Sequence, residues 1–184
     1  MKNLIIITGD LAAGKSTLAA SLSAELNIPY LTKDSLKEIA CDAIDYETRE
    51  ENLKLSASAV NSMIYFFNQS ALVGNDIILE ANFRNDEIIK IKEIADKYDY
   101  HVLLLKLIGD INLLYQRFLD RMATRHRAHK SANLDLSLDR FASYITMIRN
   151  EDVIYPAHEI DMTDLDEDEV VDAALNIAYE ELGL

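Results

Sequence analysis

Apolar and polar positions follow two rhythms along this chain. Asn3 to Thr8 (NLIIIT) is an unbroken apolar run ending at a glycine, which predicts a strand buried on both faces, as in a parallel sheet. Lys15 to Leu26 changes to helical spacing, with Leu18, Ala19, Leu22 and Leu26 on one side. Ile28 to Leu31 reads as a short second extended segment. Asp34 to Ala43 reads as a helix with Leu36, Ile39, Ala40 and Ala43 on its inner face. A long helical stretch over 50–73 runs through Leu53, Ala57, Val60, Ile64 and Phe67, and Gly74-Asn75 stops it. Within it, Tyr65-Phe66-Phe67 is expected to pack a core. Then come a strand over Asp76–Ala81, a helix over 85–97, a strand over His101–Ile108 and a helix over 110–125 carried by Ile111, Leu114, Phe118 and Met122. Residues 126–136 (HRAHKSANLDL) are polar and weakly patterned, and read as a mobile loop over a site. A helix at 137–150, a short strand at 159–162 and a final helix at 166–181 complete the pattern. Strands alternating with helices predict a parallel α/β sheet with helices on both faces. With no repeat or linker, residues 1–184 read as one domain.

Composition narrows the function classes. Of 184 residues, 49% are hydrophobic and 27% charged, which excludes wholesale disorder. Acids outnumber bases 32 to 18, a formal charge of −14. That balance argues against a nucleic-acid coat or a membrane-surface protein, both of which need basic surface. Residues 151–184 hold twelve acids and no Lys or Arg, so the charge lies almost wholly in the last segment. Cys41 is the single cysteine and cannot form an internal disulfide. The first apolar run is too short for a signal peptide or a membrane span, so a cytoplasmic protein is expected.

The chemistry begins at Gly9-Asp10-Leu11-Ala12-Ala13-Gly14-Lys15-Ser16, which fits G-x-x-x-x-G-K-[ST] at every fixed position. A buried strand leads in and an amphipathic helix leads out, the context this motif requires. Glycines let the backbone turn so that successive N–H groups face phosphate oxygens, and the helix adds its positive end. Lys15 supplies a point charge to the β- and γ-phosphates, Ser16 a hydroxyl ligand for Mg²⁺, and Thr17 a contact to the α-phosphate. This is a nucleoside-triphosphate site, with ATP and Mg²⁺ as the expected cofactors.

With that motif, the short length and the arginines after the fourth strand, the chain resembles the small P-loop kinases. The resemblance is to the group with chloramphenicol phosphotransferase, zeta-toxin-like kinases and the kinase domain of polynucleotide kinase. It implies a five-stranded parallel sheet in the order 2-3-1-4-5 and a lid, here about residues 121–137, that closes over ATP. It also implies that Asp34 faces the γ-phosphate and accepts the proton of the attacking hydroxyl. The competing reading is that Asp34 or Thr32 caps the following helix. Polynucleotide kinases have Asp-x-x-Arg at this place, where this chain has Lys37. A lysine cannot make the bidentate fork on a substrate phosphate, which speaks against a nucleotide-like acceptor and leaves Lys37 as a general acceptor contact.

Glu80 ends its strand at the edge where ligands bind in such sheets. It resembles the carboxylate that holds the Mg²⁺ shell through water, and it could equally contact substrate. Arg84 is a candidate acceptor contact or a surface ion pair. Arg117, Arg121 and Arg125 recur every four residues on one helical stripe, and Arg127 and Lys130 extend the patch. Like charges so stacked call for an anion, and triphosphate is the obvious one. The resemblance places Arg117 or Arg121 against adenine and Arg121 or Arg125 at the phosphates. The alternative is pairing with the acidic last helix. The expected function is an ATP-dependent kinase acting on a hydroxyl of a small molecule. A nucleotide-dependent switch and a 5′-hydroxyl nucleic-acid kinase stay as alternatives.

Overall fold

A computed structural model describes residues 2–130, 137–150 and 155–183 of the chain. Part of the expected lid, residues 131–136, lies outside the described residues. Five strands form one sheet: β1 (Lys2–Gly9), β2 (Tyr30–Thr32), β3 (Ile77–Glu80), β4 (Tyr100–Ile108) and β5 (Ala157–Asp161). Their order is β2-β3-β1-β4-β5 and each paired edge is parallel, as expected. The helices are α1 (Lys15–Leu26), α2 (Lys33–Ala43), α3 (Arg49–Val73), α4 (Asn85–Tyr98), α5 (Ile111–Met122), α6 (Leu138–Arg149) and α7 (Glu167–Leu182), with a 3₁₀ turn at Arg127–His129.

Side chains alternate across a strand, so β1 divides its apolar run between two cores. Ile5 and Ile7 join Leu18 and Leu22 of α1, Leu114 and Phe118 of α5, Phe141 of α6 and Ala174 of α7. Leu4 and Ile6 join Met63 and Phe67 of α3 and Ile88 and Ile91 of α4. The isoleucines of β1 are fully buried, and each contributes roughly 2 kcal/mol of hydrophobic stabilisation before entropy is counted. The continuous run, in place of alternation, is what a sheet covered on both faces demands.

The helix starts are set locally. Thr48 and Glu51 make a reciprocal capping box for α3, and the Thr32 hydroxyl accepts from the Ser35 N–H to cap α2. Three expectations fail in α2 and α3. Ile39 is 67% exposed, and the buried positions of α2 are Lys37 and Cys41. Leu53 is exposed, whereas Leu55 packs with Cys41 and Ala128 in a third, small cluster. Only Phe67 of the aromatic trio is in the core, with Tyr65 and Phe66 exposed. Residues 126–130 are tied down despite their polarity. Ala128 is buried, the Tyr46 hydroxyl donates to the Arg127 carbonyl at 2.8 Å, and the Asn52 amide donates to the Ala128 carbonyl at 3.0 Å.

Candidate active site

The C-terminal ends of the strands meet at one edge, and the loop from Gly9 to Gly14 lies over it. Gly9 has φ +122°, and a Cβ there would stand 2.0 Å from the Leu107 carbonyl oxygen, so no other residue fits. Asp10 N–H donates to that same carbonyl at 2.8 Å, stitching the loop to β4. Ala12 (φ 62°) and Gly14 (φ 89°) are left-handed, and such turns make successive N–H groups converge. Gly14 caps α1 without a side-chain bond, so the first amides of the helix face the loop.

Lys15 curls back across this cradle. Its Nζ donates to the carbonyls of Gly9 at 3.1 Å and Asp10 at 2.6 Å. Burial pushes its pKa below the usual lysine value, while Glu80, Asp34 and Asp10 pull it up and Arg121 pushes it further down. Ser16 Oγ donates to Glu80 Oε2 at 3.0 Å. Burial raises the Glu80 carboxyl, with Lys15 and Ser16 opposing the shift. The Ser16–Glu80 pair is an all-oxygen donor set, which suits Mg²⁺.

Asp10 departs from the other loop residues. Its fully buried carboxylate turns beneath the loop, where it accepts from Arg149 Nε at 3.1 Å and from the Gly109 N–H at 3.1 Å. Arg149 Nη2 also donates to the Gly109 carbonyl at 2.6 Å. The side chain of Asp10 is therefore a strut between the loop and the end of α6, and only its backbone faces the cradle.

A cleft of about 850 Å³ runs from the loop past Asp34 to a wall formed by Lys37, Leu53, Ala57, Asn82, Arg84 and Tyr144. Thr32 takes the capping duty on α2, which leaves the carboxylate of Asp34 half-exposed in the cleft. Lys37 is buried, its Nζ donating to Asn52 Oδ1 at 2.9 Å, and desolvation pulls its pKa down. Asn82 Oδ1 is buried without a hydrogen-bond partner among the described residues. Arg84 is exposed at the start of α4 and lines the same cleft.

The three stripe arginines diverge. Arg121 reaches the main cleft and two smaller cavities beside it. Arg125 lines the cleft and stacks on Phe118, 5.9 Å from the ring centre. Arg117 lines a cavity with Ala13, Thr17, Leu165 and Val170, its Nη1 3.7 Å from Met162 Sδ. Among the described residues no ion pair joins these arginines to α7. Arg127 is spent elsewhere: it donates to the Cys41 carbonyl and stacks on Tyr46.

Four contributors escape sequence reasoning. Arg149 and Lys106 belong to no motif. Lys106 lines the cleft and pairs with Glu159 at 2.9 Å. His126 and His129 face the carboxylates of α2, with His126 Nε2 3.0 Å from Asp42 and His129 Nε2 2.9 Å from Glu38. No sequence spacing links partners separated by 84 and 91 positions.

The comparisons agree with this fold. A family model for zeta toxins matches residues 1–179. No curated protein sequence matches the chain. Among solved structures, a protein named as a candidate kinase from Chloroflexus aurantiacus is 23% identical, with 98% of each chain covered and a TM-score of 0.80. Shikimate kinase from Bacteroides thetaiotaomicron is 16% identical over all of both chains, with a TM-score of 0.65. A gluconokinase from Sinorhizobium meliloti is 13% identical, covers 99% of this chain and 95% of its own, and has a TM-score of 0.64. What these share with the chain is the P-loop kinase fold.

Proposed function

The chain belongs to the zeta toxin family, and from that premise we propose that it is an ATP-dependent kinase transferring the γ-phosphoryl group to a hydroxyl of a small-molecule acceptor. One observation carries the reading: a single cleft joins the phosphate loop, the carboxylate of Asp34 and a mixed polar and apolar wall beyond it. A hydrolytic switch needs the first two, but not a built space on the far side of the carboxylate. Shikimate kinase and gluconokinase, which share the fold, are named for small hydroxyl-bearing acceptors.

In this reading, the backbone from Gly9 to Gly14 cradles the β- and γ-phosphates. Lys15 leaves its two carbonyl partners for phosphate oxygens, a stronger, charge-assisted exchange. The adenine lies along Arg117 and Arg121 in the cavity lined by Thr17 and Leu165. Ser16 would hold Mg²⁺ directly and Glu80 through water. When bound, the ion would supply charge neutralisation for the triphosphate. Asp34 accepts the proton of the acceptor hydroxyl and orients it in line with the γ-phosphorus. Lys37, Asn82 and Arg84 contact the acceptor, and Arg121 and Arg125 approach the transferring group as residues 121–137 close.

The test is transfer from γ-labelled ATP across nucleosides, sugars, aminoglycosides, chloramphenicol-like alcohols and oligonucleotides. A labelled small-molecule product is expected. Release of inorganic phosphate alone, with every acceptor, would favour the switch.

A further inference from the structure

Asp34 stands between two openings. On one side is the main cleft, and on the other a cavity of about 460 Å³ lined by Glu38, Arg125, His126 and His129. Across that second opening three ionisable groups lie in a row. Asp34 Oδ1 is 3.9 Å from His129 Nδ1, and His129 Nε2 is 2.9 Å from Glu38 Oε1. The imidazole is the buried member, 7% exposed, between a carboxylate that is 54% exposed and another that is 39% exposed.

The geometry has room for one more proton than the row carries when His129 is neutral. A neutral His129 that donates Nε2–H to Glu38 turns the lone pair of Nδ1 toward the carboxylate of Asp34. Two acceptors then face each other, separated by about 1 Å more than a hydrogen bond. A proton arriving on Asp34 would turn that mismatch into an O–H···N bond, and its transfer would leave an imidazolium flanked by two carboxylates. Phosphoryl transfer to a hydroxyl delivers such a proton.

We propose that His129 is a positioning residue and proton carrier for Asp34, with Glu38 fixing its tautomer. The inference rests on the kinase reading of Asp34. The acceptor oxygen bonds to the γ-phosphorus, and the bond from that phosphorus to the β–γ bridging oxygen breaks, its electron pair leaving with ADP. The hydroxyl proton passes to Asp34, then to His129 Nδ1, and reaches water through the second opening. The carboxylate is thereby restored for the next turnover. His129 lies on the 3₁₀ turn Arg127–His129, which Tyr46 and Asn52 tie to the α2–α3 connection and the start of α3.

Several groups act on this imidazole. Asp34 and Glu38 of α2 favour its charged form, while Lys37 of α2 and Arg125 beyond α5 oppose it; burial, the largest influence, also opposes it. His126 of the same turn lines the opening and pairs with Asp42. His129 is therefore held below the ordinary histidine value and is neutral, ready to accept, at pH 7.

The test uses the full chain with Mg-ATP and water as the acceptor, so no natural acceptor is needed. His129→Gln keeps hydrogen bonding but cannot take a proton. Phosphate release at pH 7.5 should fall roughly tenfold in kcat, with the KM for Mg-ATP within about twofold. The acid limb of the wild-type profile, where His129 becomes protonated, should disappear. Glu38→Gln serves if His129→Gln does not fold: it removes a stabiliser of the imidazolium and should move the same limb to lower pH. Independently of turnover, ¹⁵N NMR should find the Nε2–H tautomer at neutral pH, and Asp34→Asn should lower the pH at which His129 titrates. An unchanged kcat and acid limb in His129→Gln, or an His129 titration blind to Asp34→Asn, overturns the relay. Wild-type protein that neither releases phosphate nor labels any acceptor of the γ-labelled ATP panel, yet whose His129 responds to Asp34→Asn, overturns the kinase reading and the relay with it.

Discussion

Around the phosphate loop, position is enforced by backbone and by apolar burial. β1 is covered on both faces, the Asp10 N–H is stitched to Leu107, and Gly9 sits where a single methyl group would collide with a carbonyl. On the acceptor side, α2, the front of α3 and the turn at Arg127–His129 meet through a small cluster of Cys41, Leu55 and Ala128. Polar contacts supply the rest there: Lys37 to Asn52, Asn52 to Ala128, His129 to Glu38. A densely packed apolar core resists displacement, whereas a polar seam with little buried apolar area opens at low cost. In the proposed reaction the phosphate half holds a chemical group common to all nucleoside triphosphates and can be rigid, whereas the other half would have to admit and release a second substrate.

The comparison breaks most severely at Gly9. Gly9→Ala sets a Cβ against the Leu107 backbone at a φ that L-residues avoid. We expect a loss of about 4 kcal/mol or failure to fold, read by thermal melting followed by circular dichroism. A variant that melted within a few degrees of wild type would mean the loop is softer than described. Next comes Arg149→Met, which leaves the buried carboxylate of Asp10 without its ion-pair partner. A cost of about 3 kcal/mol is expected, largely recovered when Asp10→Asn is added, because the penalty comes from the stranded charge. Equal melting temperatures for the single and double variants would refute that assignment.

Leu55→Ala probes the other half. Thinning the small cluster should cost about 2 kcal/mol and speed hydrogen exchange in α2 and residues 126–130. Affinity for Mg-ATP should change less than twofold; a larger loss would mean the two halves are not separable. The smallest effect runs the other way. Burial holds the Glu80 carboxyl above its unfolded value. Its contribution to stability is therefore fully present below that unfolded value, about 4.3, and is lost as pH rises through the folded one. Glu80→Gln, uncharged throughout, should gain about 1 kcal/mol at pH 7.5 without nucleotide and nothing at pH 4. Stability falling at pH 7.5 would show that the carboxylate is held by its partners and is not strained.

The same divide governs what could be read from the chain. The strand at Asn3–Thr8, the helix at Lys15–Leu26 and the loop between them were legible because their signals are local: a buried run, a period and two glycines at fixed spacing. The sheet order followed from resemblance. Hydrophobicity alone places Ile39 on the inner face of α2, whereas the helix packs on α3 and the 3₁₀ turn and buries Lys37 and Cys41. Leu53 has the period of a core position, yet it borders the cleft, where an apolar side chain has another use. Arg149 and His129 carried no local signal at all. Their partners, Asp10 and Glu38, are brought to them only by the sheet and by the path of the chain after α5.

The most direct measurement concerns Asp34, where the two halves meet. Asp34→Asn keeps the shape of the side chain and removes its capacity to take a proton, and Thr32 remains to cap α2. With an acceptor from the labelled-ATP panel, we expect Mg-ATP affinity to be nearly unchanged and transfer to that acceptor to fall by about 10²-fold or more. A transfer rate equal to that of wild type would contradict the account and leave Asp34 as a bystander at the start of its helix.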